Sequence, residues 1–483
     1  MNLHYVTLEN SLKHLAVALF AILFVACTSI PSGYLAQNKL QATWVVLGED
    51  GKTLARAITL DGQCPIIRQD GISQRMQIRA AASTEVQRPT VSKPEDSKAS
   101  VFAVLTCEQI LDHSVKSADI EGVTLVLPKR APQRIVVIGD TGCRLQKKDA
   151  YFQGCNDANL WGFPEIAKIA ASFKPDLVIH VGDYHYRENA CPNGDPRCAG
   201  SAWGYGWDTW QADFFLPAAP LLAAAPWVMV RGNHESCSRA GQGWWRFMDP
   251  RPLLGARDCN RESDDVNGDY SAPYSVSLGR INTGTELAQL IVFDSSKVPY
   301  KALPKSDLAY QVYLQQMQQV NQLAAQADLS FFVNHHPILG FGADPQRDGS
   351  MKLFGGNAAL QDVMQSLNAN RLFPTKVQAT ISGHVHLFEA ITFETDHPTQ
   401  FVSGNGGSSI SLLLPEPLPV GATPFSGAQV AHFDNTDEVG LMTMERLDNA
   451  WKIEAWNQHR KRITVCVMQG GKTTCSSSPT ESQ

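Results

Sequence analysis

Five short apolar runs in this chain break off at a glycine or asparagine and then present an acid, an amide or a histidine. They are RIVVIGD (134–140), DLVIHVGD (176–183), PWVMVRGNH (226–234), LSFFVNHHP (329–337) and VQATISGHVH (377–386). Runs this short, rich in Val and Ile, read as buried strands, not helices. AQLIVFDS (288–295) and TQFVSGNGG (399–407) add two more. Between them lie segments of helical character: Pro164–Phe173, Trp210–Ala224, Ser306–Ala327 and Asn357–Asn368. In Ser306–Ala327 the apolar positions Leu308, Val312, Leu314, Met317, Val320 and Leu323 fall near helical spacing, and the Gln-rich remainder reads as a solvated face. Strands alternating with helices predict an α/β fold. In such sheets ligands gather beyond the carboxyl ends of the strands. The polar residues at the ends of these runs are therefore candidates for one shared site.

Those ends deliver Asp140, Asp183 with Tyr186, Asn233 with His234, His335 with His336, and His384 with His386. Hard oxygen donors mixed with imidazoles suit a pair of first-row metal ions, because imidazole favours zinc or iron and a carboxylate can bridge two cations. The segments Gly139-Asp140-Thr141-Gly142, Gly182-Asp183-Tyr184-His185-Tyr186, Gly232-Asn233-His234-Glu235, His335-His336-Pro337 and Gly383-His384-Val385-His386 resemble, in this order, the motifs of the metallophosphoesterase (calcineurin-like) superfamily. Two residues narrow the resemblance to the purple acid phosphatases. Gly142 stands where many members carry a second ligand in Asp-x-His, and Tyr186 stands where purple acid phosphatases place a phenolate.

The resemblance covers about residues 134–410 and implies a four-layer α/β/β/α sandwich. It implies that Asp140, Tyr186 and His386 hold one metal, that Asn233, His335 and His384 hold the other, and that Asp183 bridges them. Some members use the other histidine of the pair, so His336 is the alternative to His335; otherwise it neighbours the site or contacts substrate. A phenolate favours Fe(III), so the implied cofactors are Fe(III) plus a divalent Zn, Fe or Mn. The implied activity is phosphomonoester hydrolysis by a metal-bound hydroxide, with His234 assisting the leaving group. The alternative for His234 is a buttress for Glu235. Arg187 and Arg239 flank the motifs as candidate phosphate contacts, with an ion pair as the alternative for each. The insert Cys191–Trp210 carries three Trp and one Tyr that would either stack on a leaving group or pack a Gly-rich loop. Gly404-Asn405-Gly406-Gly407 is read as a structural turn. A phosphodiesterase or nucleotidase on the same centre, and a surface binding protein without catalysis, are the competing readings.

The rest of the chain speaks to location. Leu15–Ala26 is an uncharged, mostly apolar stretch behind Lys13 and His14, too short to span a bilayer and of secretory h-region size. It ends Phe24-Val25-Ala26-Cys27, which resembles a bacterial lipobox with Cys27 as the lipidated residue, although Phe24 and Glu9 depart from the pattern. An ordinary cleaved signal peptide is the alternative, and either exports the protein to the periplasm or cell surface. Apart from Cys27, ten of the 11 cysteines remain for an oxidising compartment. The simplest pairing joins near neighbours: Cys143/Cys155, Cys191/Cys198, Cys237/Cys259 and Cys466/Cys475, with Cys64/Cys107; sequence alone leaves the connectivity open. No Cys-x-x-Cys occurs, which argues against a zinc ribbon.

The expected organisation is a lipoprotein-type signal peptide (1–26), a tether (27–39), a small β-rich domain (40–128), a catalytic domain (132–468), and a hairpin end with tail (469–483). Hydrophobic residues at 43% against 18% charged exclude a largely disordered chain. A net charge of −6 gives no reason to expect nucleic acid as a partner. The expected partners are a small phosphate ester and, through the lipid anchor alone, a membrane; the oligomeric state is left open.

Overall fold

The computed structural model describes residues 39–281, 284–348 and 350–477. The signal peptide, Cys27 and most of the tether lie outside the described residues, as does the end of the tail. The core is two facing sheets. In the first, Arg134–Ile138 pairs in parallel with Leu177–His180, which pairs in parallel with Trp227–Met229. In the second, Glu286–Val292, Leu329–Val333, Val377–Ser382 and Thr399–Ser403 run parallel in that order, with antiparallel strands at both edges.

Side chains alternate across each strand, so every central strand serves two cores. Ile135 and Val137 face the space between the sheets, where they meet Leu290, Phe331 and Ile381. Val136 and Ile138 face outward, onto Phe163, Ile166 and Ala170 of the helix Phe163–Ser172 and onto Ala218 and Leu221 of Leu216–Leu222. The second sheet turns Ile291 and Phe332 onto the helices Leu308–Ala324 and Ala358–Leu367. Helix, sheet, sheet, helix is the four-layer order. Asp307 caps the first of these two helices by accepting from the amide of Ala309, and Asn357 caps the second by accepting from that of Leu360.

The β-rich N-terminal segment continues the first sheet. Leu40–Leu47 lies parallel to Trp227–Met229, and Thr53–Thr59, Leu105–Leu111 and Gln77–Ala80 follow outward. A four-stranded sheet packs against this extension through Ile67, Ile120 and Val45. Two buried arginines bind the segment to the catalytic region. Arg56 and Arg79 both meet Glu108 and donate to the carbonyls of Trp245, Arg246, Phe247, Asp249 and Arg251. Burial, with Arg56 adding, pushes the Arg79 guanidinium down to about 9.

All five near-neighbour cysteine pairs are disulfides: Cys64–Cys107, Cys143–Cys155, Cys191–Cys198, Cys237–Cys259 and Cys466–Cys475. Such a set belongs to an oxidising compartment. The last pair staples the hairpin of Arg462–Gln469 with Lys472–Ser477, where the two residues are register partners. Among the described residues no helix is long and apolar enough to cross a membrane.

Candidate metal centre

All seven expected ligands sit on loops that follow parallel strands: Asp140 after Arg134–Ile138, Asp183 and Tyr186 after Leu177–His180, Asn233 after Trp227–Met229, His335 after Leu329–Val333, and His384 and His386 after Val377–Ser382. Three of them hold a left-handed backbone, with φ of 54° at Asp140, 59° at Asp183 and 69° at His384. That conformation costs a residue with a Cβ about 1–3 kcal/mol, and it persists where surrounding bonds over-determine it. Here they do. The amide of Asp140 donates to Gly182 O at 3.0 Å, that of Thr141 to Asp183 O at 3.1 Å, and that of His384 to Asp140 Oδ2 at 2.9 Å.

The ligand atoms form two clusters. Tyr186 Oη lies 3.0 Å from Asp140 Oδ1, 2.8 Å from Asp183 Oδ2 and 2.8 Å from His386 Nε2. His335 Nε2 lies 3.2 Å from Asp183 Oδ2, 3.1 Å from Asn233 Oδ1 and 3.2 Å from His384 Nδ1. Asp183 Oδ2 belongs to both. His335, not His336, enters the second cluster. His336 instead turns Nδ1 to Ser295 Oγ at 3.1 Å, its ring 4.2 Å from that of His384.

Protons are too few for this arrangement. His335 Nδ1 donates to Val181 O at 2.9 Å and His386 Nδ1 donates to Ser409 O, so the neutral form of each ring aims a bare Nε2 lone pair into its cluster. Tyr186 has one proton to offer three acceptors. Burial, reinforced by Asp140 and Asp183, pushes the Tyr186 phenol well above its usual range, so the proton does not leave unaided. Burial also opposes charge on Asp183 and His335. Their mutual attraction wins, holding the carboxyl well below the usual range and raising the imidazole to about 9. Lone pairs that converge at roughly 3 Å spacing, with imidazoles fixed through their far nitrogens by carbonyls, are what a cation of zinc or iron size requires. The donor set fits two ions sharing one carboxylate. Asp183, His335 and His384 alone bring three ligand atoms within 4.8 Å of one another.

The loss of the Asp-x-His histidine has a steric basis. A Cβ on Gly142 would lie 2.7 Å from Asp213 Oδ2 and 2.8 Å from both Tyr184 O and Tyr186 N, so no side chain fits there. The space is taken by a residue that sequence reasoning missed. Asp213, fully buried, accepts from the amides of Cys143 and Tyr186 at 2.7 Å each and from Arg187 Nε at 2.8 Å. Arg187 is thereby corrected as a phosphate contact: it is buried, paired with Asp213 and stacked 4.9 Å over Trp161, and it does not line the cleft. The insert Cys191–Trp210 likewise adds no residue to the cleft lining. Tyr205, Trp207 and Trp210 are buried in the outer core, where they hold the loop itself.

A cleft of about 1020 Å³ opens over the two clusters and is lined by His234, Arg239 and His336 among others. Glu188, also missed in the sequence, is buried beneath it, with Oε1 2.9 Å from His234 Nδ1 and 3.4 Å from Arg239 Nη1. Burial opposes its charge, yet Arg239 and His234 bring it down to about 2. Glu235 is a scaffold: its two oxygens accept from the amides of Asp183, Tyr184, His185 and Gly232. Gly404 to Gly407 form the structural turn expected of them, with Gly406 N donating to Gly139 O at 3.0 Å.

A family model for the calcineurin-like phosphoesterases matches residues 133–388, more than half of the chain. No curated protein matches it. Among solved structures, a purple acid phosphatase from yellow lupin (Lupinus luteus) seeds is 14% identical, covering 89% of this chain and 74% of its own, with a TM-score of 0.54. GAP50, the anchor in the inner membrane complex of Plasmodium, is 13% identical, covering 70% of this chain and 89% of its own, at a TM-score of 0.35. Of these two only the lupin protein superposes well enough to speak for the fold, and at that identity it speaks for the fold alone. The family match and the convergence of its motifs on one centre establish that this chain belongs to the calcineurin-like phosphoesterase family, with a purple acid phosphatase-like fold.

Proposed function

We propose that the chain is an exported two-cation phosphatase that hydrolyses phosphomonoesters. Asp140, Tyr186 and His386 hold one cation in this reading, Asn233, His335 and His384 hold the other, and Asp183 is shared. The observation that carries it is the place of Asp183 Oδ2, 2.8 Å from Tyr186 Oη and 3.2 Å from His335 Nε2. Bound there, the pair supplies Lewis acidity toward phosphoryl oxygens and a water of lowered pKa.

The chain's own side chains complete the chemistry. Glu188 Oε1, 2.9 Å from His234 Nδ1, favours a proton on that nitrogen, and a second proton carried at Nε2 is the one the imidazolium gives the departing oxygen. The Tyr186 ring, 4.0 Å from that of His234, fixes the plane of the imidazole. His336, tied by Nδ1 to Ser295, keeps Nε2 for a phosphoryl oxygen, and Arg239 brings positive charge to the same cleft. A Tyr186 phenolate favours Fe(III) in the first position, with divalent Zn, Fe or Mn in the second. Export rests on the N-terminal segment, with Cys27 as the lipid-bearing residue; radiolabelled fatty acid should enter the wild-type protein and not Cys27→Ser.

The experiment is metal analysis beside turnover of p-nitrophenyl phosphate and its bis ester. Two cations per chain and faster monoester turnover are expected, with a visible charge-transfer band that Tyr186→Phe abolishes. Faster diester turnover would overturn the monoesterase reading, and full activity in Asn233→Ala the two-cation reading. A colourless, iron-free, active enzyme would replace Fe(III) with another ion.

A further inference from the structure

Part of the cleft is built for something other than phosphate. Tyr300 stands at its mouth with 69% of its surface exposed, its ring 5.8 Å from that of His384 and 6.4 Å from that of His336. The loop that carries it is pinned, because Asn357 Nδ2 donates to Pro299 O at 2.9 Å. Phe354 and Leu412, each 45% exposed, line the same cleft. Phe354 belongs to the hairpin of Phe341–Pro345 with Met351–Gly355, and its ring lies across Gly342, where an added Cβ would meet it at 2.3 Å. Scattered apolar side chains on a surface are ordinary. Two ring-bearing residues with fixed supports around one cleft are the usual lining of a ligand site. The cleft is also far larger than a phosphate needs.

We infer that Tyr300 and Phe354 form the leaving-group wall of the site, and that the substrate class is a phosphate monoester of a flat aromatic alcohol. This rests on the phosphatase reading above and adds the half of the substrate that the metal ligands do not touch. The wall determines specificity and takes no part in bond cleavage.

Two measurements on the metal-loaded full chain test it. The first needs no turnover: calorimetric binding of phenylphosphonate against methylphosphonate. The aryl compound should bind about tenfold tighter, the scale of one aromatic stacking contact, and Tyr300→Ala and Phe354→Ala should each erode that preference while Tyr300→Phe keeps it. The second is the ratio of kcat/KM for 1-naphthyl phosphate over glycerol 2-phosphate, which should fall about tenfold in Tyr300→Ala. Equal binding of the two phosphonates, binding of neither, or a ratio unmoved by both alanine variants overturns the inference. A protein that prefers phenylphosphonate yet hydrolyses no ester refutes the phosphatase reading and leaves the wall standing.

Discussion

Glu188 shows what a single carboxylate does for a site it never enters. It touches none of the seven clustered side chains, yet its charge faces both His234 and Arg239 at the floor of the cleft. Glu188→Gln keeps the volume and an acceptor but removes the counter-charge and the demand for a proton on His234 Nδ1. Turnover is expected to fall roughly 10- to 100-fold, the range for residues that orient a centre's side chains, with the metal content unchanged. Metal analysis beside kcat decides it, and unaltered kcat would show that His234 needs no such partner. Asp183, Tyr186 and His384 are legible in the sequence because each follows an apolar run that declares its strand. Glu188 and Asp213 are not. Asp213 reaches Cys143 across 70 positions and Tyr186 across 27, and neither stretch carries a pattern that announces the contact. The choice between His335 and His336 is equally invisible, since it is made by Val181 O and Ser295 Oγ just past the ends of other strands.

Whole elements were easier to place than the faces they bury. The helix over residues 308–324 lies where its apolar spacing puts it, but the buried stripe runs through Tyr310, Tyr313, Met317, Val320 and Ala324 while Leu308 is 58% exposed. The tyrosines supply more area than the leucines and valine, and the sheet takes the larger surface. A different cost is hidden in the strand Phe388–Phe393. Its Glu389 is fully buried; Oε2 accepts from the Phe341 amide at 3.0 Å, and Oε1 has no partner among the described residues. Burial pushes its pKa from 4.5 to about 8, with the Phe341 amide pulling back only partly. A carboxyl raised in the fold stabilises it fully below pH 4.5 and loses that contribution as pH rises through about 8. Wild type should therefore lose stability against Glu389→Gln across that window, by up to about 5 kcal/mol. Denaturant titrations of both proteins between the two limits would check it; parallel pH dependences would mean that the carboxylate is already ionised in the folded protein.

At the scale of the molecule, the question is whether the N-terminal segment is a domain or a margin of the catalytic sheet. The composition of residues 40–128 gives only short β runs, and sequence cannot tell a separate sheet from a shared one. Register favours the margin: Val46 pairs with Trp227, so the outer strands hang on a central strand that also carries Asn233 into the centre. Trp44, Val46 and Phe102 lie in the same buried cluster as Phe215, Trp227 and Phe247, and Trp44 meets Phe215 at 5.3 Å. Arg56 and Arg79 reinforce the seam, and removing the Arg79 guanidinium leaves Glu108 paired with Arg56 but deprives the carbonyls of Trp245, Arg246 and Arg251 of their donor, at about 1–3 kcal/mol for each group left unsatisfied. If the seam is a core and not a hinge, residues 39–477 unfold in one transition, with calorimetric and van't Hoff enthalpies in agreement. Arg79→Met should then lower the midpoint of that single transition, and added metal should raise the same midpoint although the ligands lie in the other segment. Two transitions, only one of them responsive to metal, would make the N-terminal segment an independent domain and leave the arginine seam a surface contact.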